Sequence, residues 1–297
     1  QLAAGSIAAA GTLAAMIPPS LTMVIYGIIT EASIGRLLVA GFIPGILTAL
    51  VYCLGIYLYV RANPRIAPLA DVSATWQERL VSIKAVWGVV VLFVVVMGGI
   101  YGGVFTPSAA AAVGAFGAFV LAMANRKLSL SSLKRTMLES SVVTSSIFVI
   151  IIGGMLFSRF LVVTGAISTF AEFLTGLAVP NTVVMLGFIV MYLILGCLID
   201  PVSMMVITLP IVFPVAHGFG YDPIWFGIII VKLVEIATLT PPVGMNVFVV
   251  SAASGGVVNT SDVFRGVTPF LVMDGITLTL LFLFPQISLW LPNLMLT

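Results

Sequence analysis

The chain has 297 residues, of which 61% are hydrophobic and only 7% are charged, with a formal net charge of +2. A soluble domain carries about 25% charged residues, so the composition predicts an all-α membrane protein in a lipid bilayer. No basic cluster interleaved with aromatic residues is present, which excludes nucleic acid as an expected partner. The sequence also lacks a phosphate-binding GxxxxGK loop, zinc-ligand spacing and a nucleophile constellation, which argues against an enzyme.

The first region, 1–60, is predicted to form a broken helix and the span that follows it. Residues 1–30 are apolar, and Pro18-Pro19 interrupts them near their middle. Proline lacks a backbone N–H and blocks a helical hydrogen bond, so the pair predicts a helix that is broken inside the membrane. Residues 37–60 form the next predicted span.

The middle region, 61–179, is predicted to hold scaffold spans, charged loops and an interfacial helix. Most Lys and Arg residues lie in two predicted loops, 61–84 and 125–139, which the positive-inside rule places on the cytoplasmic side. Residues 158–179 mix Arg, Glu, Ser and Thr with Phe and Leu, a pattern typical of a helix that lies along the membrane interface. The predicted spans between these segments are 85–105, 107–124 and 140–157.

The last region, 180–297, is predicted to be a second repeat. Two short apolar segments, 181–199 and 201–216, are separated by Asp200-Pro201. They form either two short spans or one re-entrant hairpin that enters and leaves on the same side, and we favour the hairpin. The predicted elements of this region are therefore the hairpin (181–216), a second helix broken at Pro241-Pro242 (222–255) and a last span (267–296).

The two Pro-Pro pairs have matching surroundings. A Gly-x-x-Pro follows each pair at nearly the same spacing, at 41–44 and at 266–269. Counting spans from the charged loops, the two broken helices run in opposite directions, which is typical of an inverted-repeat transporter. Because Gly and Pro are common in membrane helices, coincidence is the alternative. Too few residues precede Pro18 for a hairpin, so we expect the first hairpin to lie before Gln1 in a longer polypeptide.

Oxygen atoms at the breaks point to cation binding. Carbonyls freed by the prolines, the Thr240 hydroxyl and the Asn246 amide oxygen are the ligands that a hard cation such as Na⁺ takes, and Gly244 permits unusual backbone geometry. Asp200 is either a cation ligand at the hairpin tip or a water-exposed turn residue. The alternative for both breaks is a proline kink satisfied by neighbouring helices.

The helix that begins after each break points its positive end toward the break, which favours a substrate carboxylate. The predicted substrate-binding residues are Pro19, Ser20, Pro242, Val243 and Gly244. The predicted metal-binding residues are Pro18, Ser20, Asp200, Thr240, Pro241, Gly244 and Asn246.

Lys232, Glu235 and Asp274 each lie among apolar residues in the carboxyl-terminal part of the chain. Lys232 and Glu235 are three apart and share a helix face, so we predict an internal ion pair first and a coupling site second. Asp274 is predicted to lie near a membrane end, as an interfacial residue.

Several strings along the chain carry a family resemblance. They are Ile17-Pro18-Pro19-Ser20, Thr30-Glu31-Ala32-Ser33-Ile34-Gly35, Tyr101-Gly102-Gly103-Val104-Phe105-Thr106-Pro107, Asp200-Pro201, Gly220-Tyr221-Asp222-Pro223 and Thr240-Pro241-Pro242-Val243-Gly244-Met245-Asn246. The sequence resembles the large, DctM-like membrane subunit of tripartite ATP-independent periplasmic (TRAP) transporters over essentially its whole length. One departure is Ser108-Ala109-Ala110, where the family often has an acidic residue.

The resemblance implies Na⁺-coupled symport of small organic acids, such as dicarboxylates, across the bacterial inner membrane. It implies two partners, a periplasmic substrate-binding protein and a small four-helix membrane subunit. It also implies an elevator-type fold, in which hairpins and broken helices move together and sodium sites lie between hairpin tips and breaks. Asp200 with 240–246 would then form one site, and Pro18-Pro19-Ser20 half of another. The rival hypotheses are a stand-alone ion-coupled antiporter or anion transporter, and a non-transporting membrane scaffold.

Overall fold

The computed structural model describes residues 1–66, 75–126, 128–176 and 179–294. These residues form helices, with one 3-10 turn (Pro64–Ile66) and no strand among them, so the all-α prediction is confirmed. The helices are α1 (Leu2–Met16), α2 (Leu21–Thr30), α3 (Ile34–Ala40), α4 (Phe42–Ala62), α5 (Trp76–Tyr101), α6 (Pro107–Ala124), α7 (Leu130–Val163), α8 (Ala166–Gly176), α9 (Asn181–Gly196), α10 (Pro201–Gly218), α11 (Pro223–Leu239), α12 (Met245–Ala253), α13 (Thr260–Leu283) and α14 (Gln286–Leu294).

Several helical segments of the described residues are long and apolar enough to cross a membrane. Spanning the hydrocarbon core takes about 20 apolar residues in a helix, and these segments meet that need by length and composition. The chain is therefore a multi-pass membrane protein. The segments are Leu2–Thr30, Ile34–Ala62, Pro107–Ala124, Leu130–Val163, Pro201–Gly218 and Thr260–Leu283.

The starts of three helices share one local design. Thr106, Asp200 and Asp222 each precede a proline at the first helical position, and their side-chain oxygens accept hydrogen bonds of 2.8–3.3 Å from first-turn amides. The side-chain oxygen satisfies amides that have no partner within the helix, and proline has no amide to satisfy. This explains why α6, α10 and α11 begin where they do, and why the predicted span over 107–124 matches α6.

The chain divides into two compact units. The first contains α1–α4 and everything from Val149 onward, and its centre is α11. Nearly every side chain of α11 is buried, from Ile224 to Leu239. Helices α1, α3, α9 and α13 pack around it. Tyr52, Phe270 and Met273 join small residues of α1 in the adjoining apolar core.

The second unit contains α5, α6 and the part of α7 up to Phe148. Its helices α5 and α6 pack against each other, with Gly117 of α6 facing Leu92 of α5. Of the residues of α6, all of which are described, Ala110 alone is buried, whereas Phe116 is 69% exposed. An apolar surface of this kind is compatible with lipid, where exposed apolar side chains carry no hydration penalty.

Helix α7 corrects two predictions. The predicted loop over 125–139 is helical for most of its length, and Arg135 and Glu139 pair across one turn at 3.7 Å. The same helix continues to Val163, so the predicted interfacial segment over 158–179 begins inside it and only α8 forms a separate helix. Hydropathy marks the apolar part of a helix, but charged residues four apart can extend the helix beyond that part.

The predicted loop over 61–84 is also partly wrong. Its residues 67–74 lie outside the described part of the chain, but α5 already begins at Trp76. The predicted last span over 267–296 is likewise two helices up to Leu294, beyond which its residues lie outside the described part of the chain, because Pro285 between α13 and α14 cannot continue the hydrogen-bond ladder.

The two Gly-x-x-Pro strings take different positions in their helices. Gly41 caps the start of α4 and Pro44 lies in its first turn, as predicted. Gly266 and Pro269 lie instead inside α13, which begins at Thr260. The prediction that both strings open a span is therefore wrong for the second, and the Pro-Pro breaks are the stronger match between the two halves.

Candidate functional site

The first helix break separates α1 from α2, as predicted. Pro18 and Pro19, joined by a cis peptide bond, cannot donate to the carbonyls one turn earlier in α1. Ser20 compensates on both sides of the break, since its hydroxyl donates to the Ala15 carbonyl and accepts from the Met23 amide at 3.3 Å. The Ser20 side chain is buried, so the break ends in a polar group held inside the protein.

The second break separates α11 from α12 and is built differently. Pro241 and Pro242 again share a cis bond, and the Thr240 amide and hydroxyl turn back to the Ile236 carbonyl at 3.0 and 2.7 Å. Gly244 precedes α12 with φ +44, a left-handed conformation that suits glycine. No side chain caps this helix start, in contrast to the start of α2.

The two broken helices lie antiparallel. At one end, the Tyr26 hydroxyl of α2 donates to the Pro223 carbonyl at the start of α11, at 2.8 Å. At the other end, the Asn246 amide of α12 lies 3.4 Å from the Ala8 carbonyl of α1. Between these contacts, the Met16 backbone at the end of α1 faces the Glu235 side chain of α11. The predicted opposite direction of the two helices is therefore confirmed.

The two segments of the predicted hairpin form α9 and α10, which meet near Asp200; that they enter and leave the membrane on the same side stays a prediction. Tyr192 and Thr208 hydrogen-bond to each other between the two helices. At the end of α9, Gly196 lies so close to Ala237 of α11 that a Cβ on the glycine would collide with it. The hairpin tip is thus next to the last turn of α11 before the second break.

Asp200 has a structural role at this tip. Its Oδ1 accepts from the amides of Val202 and Ser203 at 3.1 and 3.0 Å, which caps α10. The carboxylate is half-buried. It is therefore less exposed than the predicted alternative of a water-exposed turn residue, and it is not an isolated buried charge. Because capping uses one oxygen, the cap and cation binding are compatible roles for the same carboxylate.

A buried ionic cluster lies on α11 ahead of the second break. The Lys232 ammonium is 2.8 Å from Glu235 Oε2 and 2.7 Å from Asp274 Oδ1, and all three side chains are fully buried. Tyr52 of α4 donates to the same Asp274 oxygen at 2.7 Å, and Thr48 lies 3.4 Å from the ammonium. The predicted pairing of Lys232 with Glu235 is confirmed.

The position of Asp274 is a correction. The sequence prediction places it at a membrane end, yet it lies in the interior with no exposed surface, facing Lys232 across two helices. The available signal was a single acidic residue within the long apolar run of α13. An ionisable residue inside a membrane helix normally has a partner. Lys232 was a candidate partner because it also lies within an apolar segment.

The chemistry of the break residues suits a hard monovalent cation better than a transition metal. Within the described ranges, no group of three or more His, Cys, Asp or Glu side chains converges on one point. The breaks instead offer hydroxyl, amide and backbone carbonyl oxygens, with the Asp200 carboxylate near the second break. That these oxygens bind a cation stays a prediction.

Comparison with known proteins agrees with this architecture. Residues 1–287 match the family model described as "Tripartite ATP-independent periplasmic transporter, DctM component". The C4-dicarboxylate TRAP transporter large permease protein DctM of Pseudomonas aeruginosa is 38% identical over 292 residues, which cover 98% of this chain and 67% of that protein.

Relatives with other named substrates are similar over the same region. The ectoine/5-hydroxyectoine large permease protein UehC of Ruegeria pomeroyi is 32% identical, over 96% of this chain and 66% of its own length. The sialic acid permease protein SiaT of Haemophilus influenzae is 31% identical, over 99% of this chain and 47% of its own length. The named substrates of these relatives thus differ, although each relative is similar to nearly the whole of this chain.

Proposed function

The chain belongs to the DctM component family of tripartite ATP-independent periplasmic transporters, and on this premise we propose that it imports small organic acids in symport with Na⁺. It is a large permease subunit, so it is a transport protein rather than an enzyme. The relatives are named for different substrates, including C4-dicarboxylates, sialic acid and ectoines. The proposal therefore names the class of small carboxylates and no single compound.

The antiparallel pair of broken helices supports the proposal most directly. Each break frees backbone oxygens within a helix that is otherwise long and apolar, and the two lie in one tightly packed unit. Backbone of this kind occurs at membrane depth where it binds ions or lines a cavity. A non-transporting scaffold would have no need of two such breaks.

We place one Na⁺ between the hairpin tip and the second break, with Asp200, Thr240, Pro241, Gly244 and Asn246 as ligands. The contact of α9 with the last turn of α11 supports this choice, because it brings the two segments together.

The second Na⁺ belongs to the first break, where Pro18 and Ser20 contribute oxygens. The substrate carboxylate is expected at the helix starts that follow the breaks. The residues in contact with it are Pro19, Ser20, Pro242, Val243 and Gly244.

The proposal includes two partners and a movement. A periplasmic substrate-binding protein delivers the acid, and a small four-helix membrane subunit completes the permease in the bacterial inner membrane. The hairpin and the first broken helix pack around α11, which belongs to the second broken helix. All of them move together as an elevator. Their many mutual contacts within one compact unit support their motion as one body.

Two aspartates offer a matched test of the cation site. Asp200 and Asp222 both cap a helix that begins with proline, and an asparagine can keep either cap. Uptake is measured in liposomes that contain the partner subunit and are supplied with the loaded binding protein. Asp200→Asn should raise the Na⁺ concentration for half-maximal uptake by about tenfold or more, because a loss of about 1.4 kcal/mol in binding free energy is a tenfold loss of affinity. Asp222→Asn should leave it unchanged.

Three outcomes would contradict the proposal. Equal Na⁺ dependence in both variants would remove Asp200 from the site. Uptake by the wild type without the binding protein would favour a stand-alone transporter. Uptake that does not depend on Na⁺ would exclude sodium as the coupling ion.

A further inference from the structure

The ionic cluster around Lys232 leaves two carboxylate oxygens without a partner. The ammonium donates to Glu235 Oε2, Asp274 Oδ1 and Thr48, which accounts for its three N–H groups. Glu235 Oε1 and Asp274 Oδ2 are buried and accept no hydrogen bond from any described residue. Buried carboxylate oxygens are normally satisfied, so these two atoms indicate that something else binds here.

The charge of the cluster gives the same indication. One ammonium and two carboxylates have a formal charge of −1, and Lys232, Glu235 and Asp274 have no exposed surface. Charge buried without compensation is strongly unfavourable. One additional positive charge would make the cluster neutral.

Few other charged groups face the cluster. The ionisable side chains turned toward Glu235 are Lys232 on its own helix, Asp274 on α13 and Tyr52 on α4. Helices α1, α12 and α14, which also contact α11, carry none. The ionisable side chains of other packed helices have their own contacts: Tyr26 with Pro223, Arg36 with Asn293, Tyr192 with Thr208, and His217 with Phe213.

We propose that this cluster is a proton-binding site, in which Glu235 holds one proton at neutral pH. A proton fits better than a metal ion, because the Lys232 ammonium already bridges the two carboxylates and would repel a second cation at this distance. Only two oxygens remain, which is too few to replace the shell of a metal ion. The site is separate from the Na⁺ ligands proposed at the breaks.

The hydrogen bonds assign the proton to Glu235 rather than Asp274. Asp274 Oδ1 accepts two bonds of 2.7 Å, from Lys232 and from Tyr52, whereas Glu235 Oε2 accepts one, from Lys232 at 2.8 Å, and the Met16 backbone faces the Glu235 carboxyl. Hydrogen bonds to the charged form stabilise that form. On this difference in side-chain hydrogen bonds we assign the proton to Glu235.

The site lies between the two helix breaks. Glu235 precedes Thr240 by little more than one helical turn, and its carboxyl faces the backbone of Met16, the last residue of α1. Gain or loss of the proton changes the charge that faces this backbone, next to Pro18. Proton binding is thus positioned to affect the geometry of both breaks.

Infrared spectroscopy of the intact protein in lipid bilayers tests the proposal without any transport. At neutral pH, the wild type should show the carbonyl stretch of a protonated carboxyl group, shifted on exchange into D₂O. Because either neutral substitution balances the cluster, Glu235→Gln and Asp274→Asn should each abolish this band. Glu139→Gln, on the exposed surface of α7, should leave it intact.

Glu235→Gln and Asp274→Asn test the proposal independently of each other. Two isosteric substitutions are used, so one misfolded variant, identified by gel filtration and circular dichroism, leaves the other as the test. Absence of the band in the wild type would overturn the proposal, as would its full retention in a folded Glu235→Gln or Asp274→Asn protein. Since no sodium or substrate is involved, failure here would leave the proposed Na⁺ coupling untouched.

Discussion

The two broken helices share a break but differ in how they are completed. In the first, α1 and α2 carry no charged residue, and the break ends in the buried hydroxyl of Ser20. In the second, α11 carries a buried ion pair, and the break ends in a left-handed glycine without a side-chain cap. Two breaks with the same Pro-Pro pair thus have different local chemistry.

This difference predicts how strongly substitutions at each break affect the stability of the protein. The first break is completed by one side chain through two hydrogen bonds, so its perturbation is local. The second depends on a backbone conformation and follows a helix whose ionic cluster joins α11, α13 and α4. Substitutions in the second half should therefore cost more. Three substitutions, two in the second half and one at the first break, rank the effects.

Loss of the buried cation should have the largest effect. Lys232→Met leaves Glu235 and Asp274 buried without their shared partner, which we expect to destabilise the protein by about 3–5 kcal/mol. Thermal unfolding in lipid or detergent measures this. Lys134→Met, at an exposed position of α7, is the control and should be nearly neutral. If Lys232→Met is as stable as the wild type, the ionic cluster does not make the second broken helix the more sensitive one.

A side chain on the glycine of the second break should have an intermediate effect. At Gly244, with φ +44, an added Cβ would lie 2.7 Å from the Phe264 ring, so Gly244→Ala should cost about 1–3 kcal/mol. Gly187→Ala in α9 is the control, because its Cβ meets nothing within 4 Å. Equal melting temperatures for the two variants would show that the second break does not require the left-handed conformation.

Removal of the hydroxyl at the first break should have the smallest effect. Ser20→Ala removes the cap of α2 and the bond to the Ala15 carbonyl, and should cost about 1 kcal/mol. Ser146→Ala is the control, since that hydroxyl bonds back to Val142 on an exposed surface. If Ser20→Ala lowers the melting temperature as much as Gly244→Ala does, the two breaks are equally sensitive and the ranking is wrong.

Much of the first unit was predictable from local chemistry. Both breaks follow from Pro-Pro pairs in apolar segments, and the start of α10 follows from Asp200-Pro201. The long α7 was not predictable in this way. Its first turns are polar and its middle is apolar, so a prediction based on hydropathy divided one helix into a loop, a span and an interfacial segment.

The sequence alone determined the membrane class, the two breaks, their opposite directions and the pairing of Lys232 with Glu235. The opposite directions depend on where the charged segments lie along the chain. The others depend on composition or on residues within a turn or two of one another, where helix geometry sets the contacts. Tertiary structure alone decided that Asp274 joins the pair and that the hairpin tip contacts α11. Those contacts connect distant parts of the chain, and they depend on how α9, α11 and α13 pack, which no local pattern specifies.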